Sequence, residues 1–312
     1  MNDDAAMAPV TGKPIPRVSI GMPVYNGEKF IRDALDSLLA QTFTDFELII
    51  SDNASTDDTE AICRGYAAKD ARIRYVRQAE NLGAAANFKF VLDEAVGEYF
   101  MWAAHDDVFF EHHLAVLVSK HKTCKYVLVS ASQIHRELST GKRFRFNKIE
   151  SDIFCLSQSD AFVSYMRLHH WDVAKACLIY GLFRREYMPR LREIGARGQD
   201  VGDDLLYIYE TLLIGPVCYI EDETWLRGER FFRKTPLKRS VLKISIRIAV
   251  YLVIRLFIKR DVSVMASSIR DHSKEIRSIY LSKHGRSSKF YMRSVMNELE
   301  IAGLLMPLRL WR

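Results

Sequence analysis

The stretch RVSIGMPVYNGE at residues 17–28 gives the clearest indication of the fold. It begins as an apolar run typical of a buried strand and becomes polar after Val24. A helical pattern follows over 27–40, where apolar side chains recur at the spacing of one helix face. A buried strand followed at once by an amphipathic helix is the building unit of parallel sheets, so the stretch predicts an α/β protein.

The same alternation continues for about 100 residues, in line with repeated βαβ units. Strands are predicted at 46–53, 73–77 and 98–104, and helices from Asp57 onward and over 84–96. Right-handed crossovers then place helices on both faces of a mostly parallel sheet. The second half is less regular, with strands predicted at 126–136, 176–186 and 216–227 and a helix over 203–215.

Composition and charge narrow the class of protein. The chain has 312 residues, of which 48% are apolar and 27% charged, so we exclude a disordered chain, a collagen and a coiled coil. The net charge of +6 is too small to identify a partner by itself. Five scattered cysteines without a CxxC pair argue against a disulfide framework and a structural zinc site, and favour a cytoplasmic protein.

The two ends of the chain differ from its middle. Residues 1–16 are expected to form a loose tail, since they lack the apolar core of a secretory signal. Residues 235–312 form a basic region, in which 238–260 alternates long apolar and basic side chains like an amphipathic helix. Such a helix contacts a membrane surface or packs on the folded domain with its basic face in water, and both alternatives stay open.

Each predicted strand of the first half ends in polar residues. These ends are PVYNGE at 23–28, DNASTD at 52–57, NLG at 81–83 and HDD at 105–107. In a doubly wound sheet the ligand lies beyond the carboxyl ends of the parallel strands. Neither GxGxxG nor a P-loop is present, which disfavours a dehydrogenase or a kinase.

The residue types at these ends suit a nucleotide bound with a metal ion. Tyr25 offers a ring on which a base can stack, and Asp52 offers an acceptor for a base N–H. Asp106 and Asp107 are adjacent hard oxygen ligands, suited to Mg²⁺ or Mn²⁺ bridging a diphosphate. Each segment alone is equally explained as a solvated loop or a helix N-cap. Four polar ends in register favour one shared ligand site.

Residues 17–120 resemble the nucleotide-sugar-binding half of the inverting family 2 glycosyltransferases with the GT-A fold. The motifs that carry the resemblance are PVYNGE at 23–28, DNASTDDT at 52–59, NLG at 81–83 with Asn87, and MWAAHDD at 101–107. The resemblance implies a Rossmann-like, mostly parallel central sheet with helices on both faces, followed here by a helical C-terminal extension. It continues more weakly to about residue 230, so we assign 17–234 to the GT-A domain, with 121–234 as the acceptor half.

The resemblance also implies roles for particular residues. The nucleotide-sugar site is expected to comprise Pro23, Tyr25, Glu28, Asp52, Asn81, Asn87 and Asp106. Asp106 and Asp107 match the metal motif, with Asp107 expected as the direct ligand of Mn²⁺ or Mg²⁺. The motif has His105 where many relatives have Asp, as in an HDD subgroup, which leaves open whether one or two carboxylates bind the metal.

In the second half, DDLLYIYETLLIG at 203–215 matches the acidic start of a helix in the family. The alignment places Asp204 at the position of the catalytic base, and Asp203 lies one residue away. An inverting transfer needs one base to accept the proton of the attacking hydroxyl. The alternative is that both carboxylates cap the helix and favour its dipole.

Together these features predict a metal-dependent, inverting glycosyltransferase of hexosyl or deoxyhexosyl type that uses a nucleoside-diphosphate sugar. The acceptor is expected to be a saccharide or a lipid-linked saccharide of cell-surface polysaccharide synthesis, at the inner face of the cytoplasmic membrane. The rival predictions are a nucleotidyltransferase and a non-catalytic membrane-surface protein; a nucleic-acid partner is not expected. The sequence leaves the base, the sugar, the acceptor and the oligomeric state open.

Overall fold

The computed structural model describes residues 14–137, 139–144, 177–190 and 203–229, together with residues 154, 156, 161 and 165. The strands within these ranges are β1 (Val18–Val24), β2 (Phe46–Asp52), β3 (Ile73–Arg77), β4 (Tyr99–Trp102), β5 (Val108–Phe109), β6 (Leu128–Glu137), β7 (Arg143–Phe144), β8 (Leu182–Arg184) and β9 (Val217–Glu229). The α-helices whose bounds lie within these ranges are α1 (Ile31–Leu39), α2 (Thr59–Ala67), α3 (Ala84–Asp93), α4 (His113–Thr123) and α5 (Asp203–Ile214).

The described strands form one sheet in the order β3-β2-β1-β4-β8-β6-β9-β5, with β7 paired to β6. Neighbours among β1 to β4 are parallel, and β6 and β9 run in the same direction as these four. Only β5, β7 and β8 run the opposite way among the described strands. The predicted mostly parallel sheet is therefore confirmed. The chain order reverses between β1 and β4, which is where ligands bind in such sheets.

Helices cover both faces of this sheet, as predicted. Side chains of α1, α2 and α4 pack with Val18, Ile20 and Met22 on one face, and side chains of α3 and α5 pack with Phe100 on the other. The alternation of a strand produces this division, because successive side chains point to opposite faces. Gly21 faces α3, where an added Cβ would lie 2.7 Å from Val91 Cγ2, so the helix sits directly on the strand.

The strand predicted at 176–186 is shorter than expected. A 3-10 helix at Leu178–Tyr180 is followed by β8, and a second 3-10 turn occupies Arg185–Tyr187. The reason lies at Gly181, whose N–H bonds the carbonyl of Leu178 and whose backbone passes so near β6 that a Cβ would lie 2.6 Å from Val129 O. The apolar run is thus a turn and a short buried strand.

Two predictions fall on other parts of the chain. The tail predicted at 1–16 is described only from residue 14, and the basic region at 235–312, with its 238–260 segment, lies outside the described residues. Within the described ranges, no helix has both the length and the apolar character needed to span a membrane.

Candidate functional site

The carboxyl ends of β1, β2 and β3 lie side by side, because Val24 pairs with Asp52 and Asp52 pairs with Arg77. Tyr25 follows β1 directly and its side chain is 44% exposed. The loop after β4 begins beside β1, because Trp102 pairs with Gly21. This single edge holds the site residues predicted from the first half: Pro23, Tyr25, Glu28, Asp52, Asn81, Asn87, Asp106 and Asp107.

Asp52, the residue predicted to accept a base N–H, is fully buried at this edge. Its Oδ1 accepts the backbone N–H of Ser55 at 2.8 Å, and its Oδ2 accepts bonds from Tyr75 Oη at 2.7 Å and Arg77 Nη1 at 3.0 Å. Burial, and then the bond to the Asp52 carboxylate, raise the pKa of Tyr75, which keeps its hydroxyl a donor. A base would therefore have to share a carboxylate that already accepts three bonds.

Arg77 is a site residue that the sequence prediction missed. Besides its bond to Asp52, its Nη2 donates to the Ser55 carbonyl at 3.0 Å and its Nε lies 3.2 Å from Glu60 Oε2. The guanidinium thus joins the end of β3, the loop after β2 and α2. The available signal was its position as the last residue of β3, next to Asp52, whereas the prediction took only NLG at 81–83 from the end of that strand.

The predicted amides Asn81 and Asn87 lie at different depths. Asn81 is exposed, and its Oδ1 accepts the Nδ2 of Asn53 at 2.8 Å. Asn87 is buried, donates to the Ser51 carbonyl at 3.0 Å and accepts the Ser51 hydroxyl at 2.5 Å. Asn87 therefore anchors α3 to the end of β2, whereas Asn81 lies at the surface of the site.

The loop between β4 and β5 carries His105, Asp106 and Asp107. Asp107 is 1% exposed and its Oδ1 accepts the backbone N–H of Gly228 at 2.9 Å, while Asp106 is half-buried. The ring of His105 packs on the turn after β1, where a Cβ on Gly27 would lie 2.9 Å from its Cδ2. The loop is thus held against the turn after β1 through His105 and against the end of β9 through Asp107.

The topology also places the start of α5 at this edge. β9 begins at Val217, which pairs with Leu128 at the start of β6, and both strands run in the direction of β1 to β4. Because α5 ends just before β9 begins, its first residues, Asp203 and Asp204, lie toward the carboxyl ends of those strands. Tyr207, one turn further on, lies 5.4 Å from the Trp102 ring at the end of β4.

Among curated proteins, this chain is similar to glycosyltransferases. It is 40% identical over 106 residues to the uncharacterized glycosyltransferase RT0329 of Rickettsia typhi, which covers 33% of this chain and 32% of that protein. It is 24% identical over 216 residues to the glycosyltransferase GlyG of Streptococcus pneumoniae, which covers 68% of this chain and 71% of that one. The matched segment is thus about a third of the Rickettsia protein.

Solved structures share the fold at low identity. TarS residues 1–349 from S. aureus, in complex with UDP-GlcNAc, match with a TM-score of 0.63 at 17% identity, over 86% of this chain and 72% of that one. The mannosyltransferase PcManGT from Pyrobaculum calidifontis, in complex with GDP-Man and Mn²⁺, matches with a TM-score of 0.52 at 16% identity, over 95% and 83%. These likenesses support the GT-A fold expected from the sequence.

The family assignment rests on the sequence match that spans both halves of the domain. The model of the family described as glycosyl transferase family 2 matches residues 19–191, more than half of the chain. This match favours the glycosyltransferase prediction over the nucleotidyltransferase and the non-catalytic alternatives. The protein belongs to glycosyl transferase family 2 and has the GT-A fold.

Proposed function

We propose that this protein transfers a hexosyl or deoxyhexosyl group, with inversion, from a nucleoside-diphosphate sugar to a saccharide or lipid-linked acceptor. The proposal rests on the observation that Tyr25, Asp52 and Asp107 lie at one edge of the sheet, where the chain order reverses between β1 and β4. Cell-surface polysaccharide synthesis at the inner face of the cytoplasmic membrane is the setting we propose, with peripheral contact through 238–260.

The donor is proposed to lie along this edge, with its base toward β2 and its diphosphate toward the loop after β4. The exposed ring of Tyr25 supplies a surface for stacking, and Asp52 and Asn81 supply polar contacts. The complexes of TarS with UDP-GlcNAc and of PcManGT with GDP-Man support a nucleotide sugar as the class of donor.

A divalent cation, Mn²⁺ or Mg²⁺, is proposed to be held by Asp107 and Asp106. The described residues contain no group of three or more His, Cys, Asp or Glu placed to hold a metal. Two adjacent carboxylates nevertheless fit a cation that takes one or two protein ligands and completes its shell with substrate phosphates and water. When bound, such a cation neutralises the charge that develops on the departing diphosphate. The Mn²⁺ in the PcManGT complex supports this choice.

Asp204 is proposed as the catalytic base, with Asp203 as the alternative. The base accepts the proton of the acceptor hydroxyl while that oxygen forms a bond to the anomeric carbon, and the bond from that carbon to the diphosphate breaks. Attack from the face opposite the leaving group inverts the anomeric centre. The start of α5 at the donor edge supports this assignment, because the base must lie across the sugar from the diphosphate.

The first test is a thermal-shift panel with UDP, dTDP, GDP, CDP and CMP, each with and without Mn²⁺. A ligand at about 100 times its Kd adds roughly 2.7 kcal/mol to the free energy of unfolding, which is readily measured. We expect one diphosphate to stabilise the protein in the presence of Mn²⁺. The effect should be lost in Asp107→Ala and kept in Glu111→Ala, which removes an exposed carboxylate four residues away.

A second measurement tests the reaction itself. The sugar nucleotide of the stabilising base is incubated with the protein and a saccharide acceptor, and release of the nucleoside diphosphate is followed. NMR of the product then gives the anomeric configuration, and retention would contradict the inverting mechanism. A folded wild-type protein that responds to none of the five nucleotides would contradict the donor site as a whole.

A further inference from the structure

Two loops form the base side of the donor site proposed above. The first loop is residues 25–28 after β1, and the second is residues 53–58 between β2 and α2. Each contains a non-glycine residue in the left-handed region, Asn26 with φ 52° and Ala54 with φ 58°. Such residues cost free energy and persist only where surrounding contacts hold them.

The contacts that hold these loops run between them. The backbone N–H of Asn26 donates to Ser55 Oγ at 2.9 Å, and in return Asn26 Oδ1 accepts the N–H of Thr56 at 2.9 Å. Two residues later the pattern repeats, since Glu28 Oε2 accepts the N–H of Asp58 at 3.1 Å. The loops are therefore joined by side chains bonded to backbone, outside the sheet ladder.

Asp57 lies at the centre of this junction. Its Oδ2 accepts the N–H of Glu28 at 3.2 Å, and its Oδ1 accepts the N–H of Thr59 at 3.1 Å and the Thr59 hydroxyl at 2.5 Å. Thr59 Oγ1 in turn accepts the N–H of Gly27 at 2.8 Å. One carboxylate thus connects the turn before α1 to the first residue of α2. Partial burial opposes ionisation, but these hydrogen bonds outweigh it and lower the pKa of Asp57.

This arrangement has a consequence for anion binding. Free N–H groups at the amino ends of helices commonly receive phosphate in doubly wound sheets. Here the N–H groups of Gly27, Glu28, Asp58 and Thr59 all donate to side chains of the chain itself. The Asp57 carboxylate accepts two of these four N–H groups, those of Glu28 and Thr59, so it occupies donors that an anion could otherwise use.

We propose that Asp57 is a positioning residue of the donor site: it touches no substrate, and it holds the first loop against the second so that Tyr25 and Asp52 are set for the nucleotide. This inference rests on the proposed function. It assigns a role to a residue that the sequence prediction did not include in the site. It also distinguishes Asp57 from Asp58, for which no such role is proposed, although Asp58 is exposed and carries the same charge one position away.

The test compares Asp57→Ala and Asp57→Asn with Asp58→Ala as the matched control. The nucleoside diphosphate that stabilises the wild type with Mn²⁺ is titrated into each protein. Asp57→Ala should bind it roughly tenfold more weakly, because the three hydrogen bonds to the Asp57 carboxylate are lost. The affinity of Asp57→Asn should lie between those of Asp57→Ala and the wild type, since its amide keeps a single acceptor oxygen. The affinity of Asp58→Ala should stay within about twofold of the wild-type value.

Steady-state kinetics and hydrogen exchange supply readouts that a general loss of stability would not reproduce. The donor KM should rise with kcat nearly unchanged in Asp57→Ala, and amide exchange at Gly27 and Glu28 should accelerate in the ligand-free protein while that of β1 stays slow. If Asp57→Ala fails to fold, Asp57→Asn carries the comparison.

The outcomes separate this inference from the proposed function. Equal nucleotide affinity in Asp57→Ala and wild type, or equal losses in Asp57→Ala and Asp58→Ala, would overturn the positioning role and leave the donor site standing. Absence of nucleotide binding in the wild type would contradict both the positioning role of Asp57 and the proposed donor site.

Discussion

Gly228 donates its backbone N–H to Oδ1 of Asp107 over 2.9 Å, joining the loop after β4 to the end of β9. The two residues are 121 positions apart in the chain. The neighbouring strands reinforce the contact, since β5 pairs with β9 and the rings of Phe109 and Trp225 stack at 5.7 Å. The proposed metal ligand is thus held by the last described strand of the domain, and its geometry depends on a part of the chain far from its own motif.

Replacing Asp107 by Asn separates its charge from its hydrogen bond. The amide oxygen of Asn can still accept the Gly228 N–H, so the melting temperature should stay near that of the wild type. Turnover and Mn²⁺-dependent nucleotide binding should fall, turnover by roughly 100-fold or more, because the cation loses a charged ligand. Activity and thermal unfolding are measured side by side. Turnover within a few fold of wild type would rule out Asp107 as the ligand.

The catalytic base is tested by Asp204→Asn beside Asp203→Asn. Both residues begin α5, so either substitution changes the helix start to a similar extent. Removing the true base should lower kcat by roughly 10² to 10⁴-fold while nucleotide affinity stays near the wild-type value. The other variant serves as the control for the helix terminus. Similar small losses in both variants would favour the alternative in which the carboxylates cap the helix.

Two glycines should respond oppositely to alanine. A Cβ on Gly97 would lie 2.7 Å from the backbone nitrogen of Ser19, so Gly97→Ala should lower the free energy of unfolding by about 1–3 kcal/mol. Gly65 lies in α2 with open space around the added atom, so Gly65→Ala should raise it by about 0.5–1 kcal/mol. Urea unfolding of both variants and of the wild type measures the two changes in the free energy of unfolding. Destabilisation by Gly65→Ala would contradict the helical packing of α2.

The first four strands could be predicted because each is a buried run followed by a helical pattern. Parallel strands end at one edge, so their polar ends could be placed together before any geometry was known. The contacts of Asp52 with Tyr75 and of Asp107 with Gly228 could not be predicted, because they join residues 23 and 121 positions apart and leave no local pattern in the sequence. For the same reason the turn at Gly181 was missed, since its cause is the nearby backbone of β6.

The junction made by Asp57 illustrates a related limit. The sequence allowed the 52–59 segment to be either a capped helix start or a nucleotide loop. The structure has the features of both, because Asp57 bonds Thr59 at the start of α2 and also bonds the turn before α1. Capping preferences predict contacts between a residue and the helix that follows it. They give no information about contacts with a second helix that the sheet places alongside.

Two buried histidines on α4 make the stability of the protein sensitive to acid. Burial lowers the pKa of His113 to about 3 and that of His121 to about 4, against an ordinary value of 6.5. His121 donates its Nε2–H to the Leu182 carbonyl at 2.8 Å, because a carbonyl oxygen can only accept, so Nε2 is the protonated nitrogen of the neutral ring. His113 bonds Thr224 through Nδ1 at 2.7 Å.

Since both folded-state pKa values lie below 6.5, the unfolded chain binds more protons than the folded one as the pH falls from 6.5 toward 4. The free energy of unfolding should therefore be unaffected by these groups above pH 6.5 and should drop below it by about 1.4 kcal/mol per pH unit for each histidine. His121→Gln keeps a donor for the Leu182 carbonyl and removes one titration, so it should lower the slope by about that amount per unit. Urea unfolding from pH 7.5 to 4.5 gives the slopes, with His112→Gln, an exposed neighbour, as the control. An unchanged slope in His121→Gln would show that His121 takes up its proton at the same pH in the folded protein as in the unfolded chain.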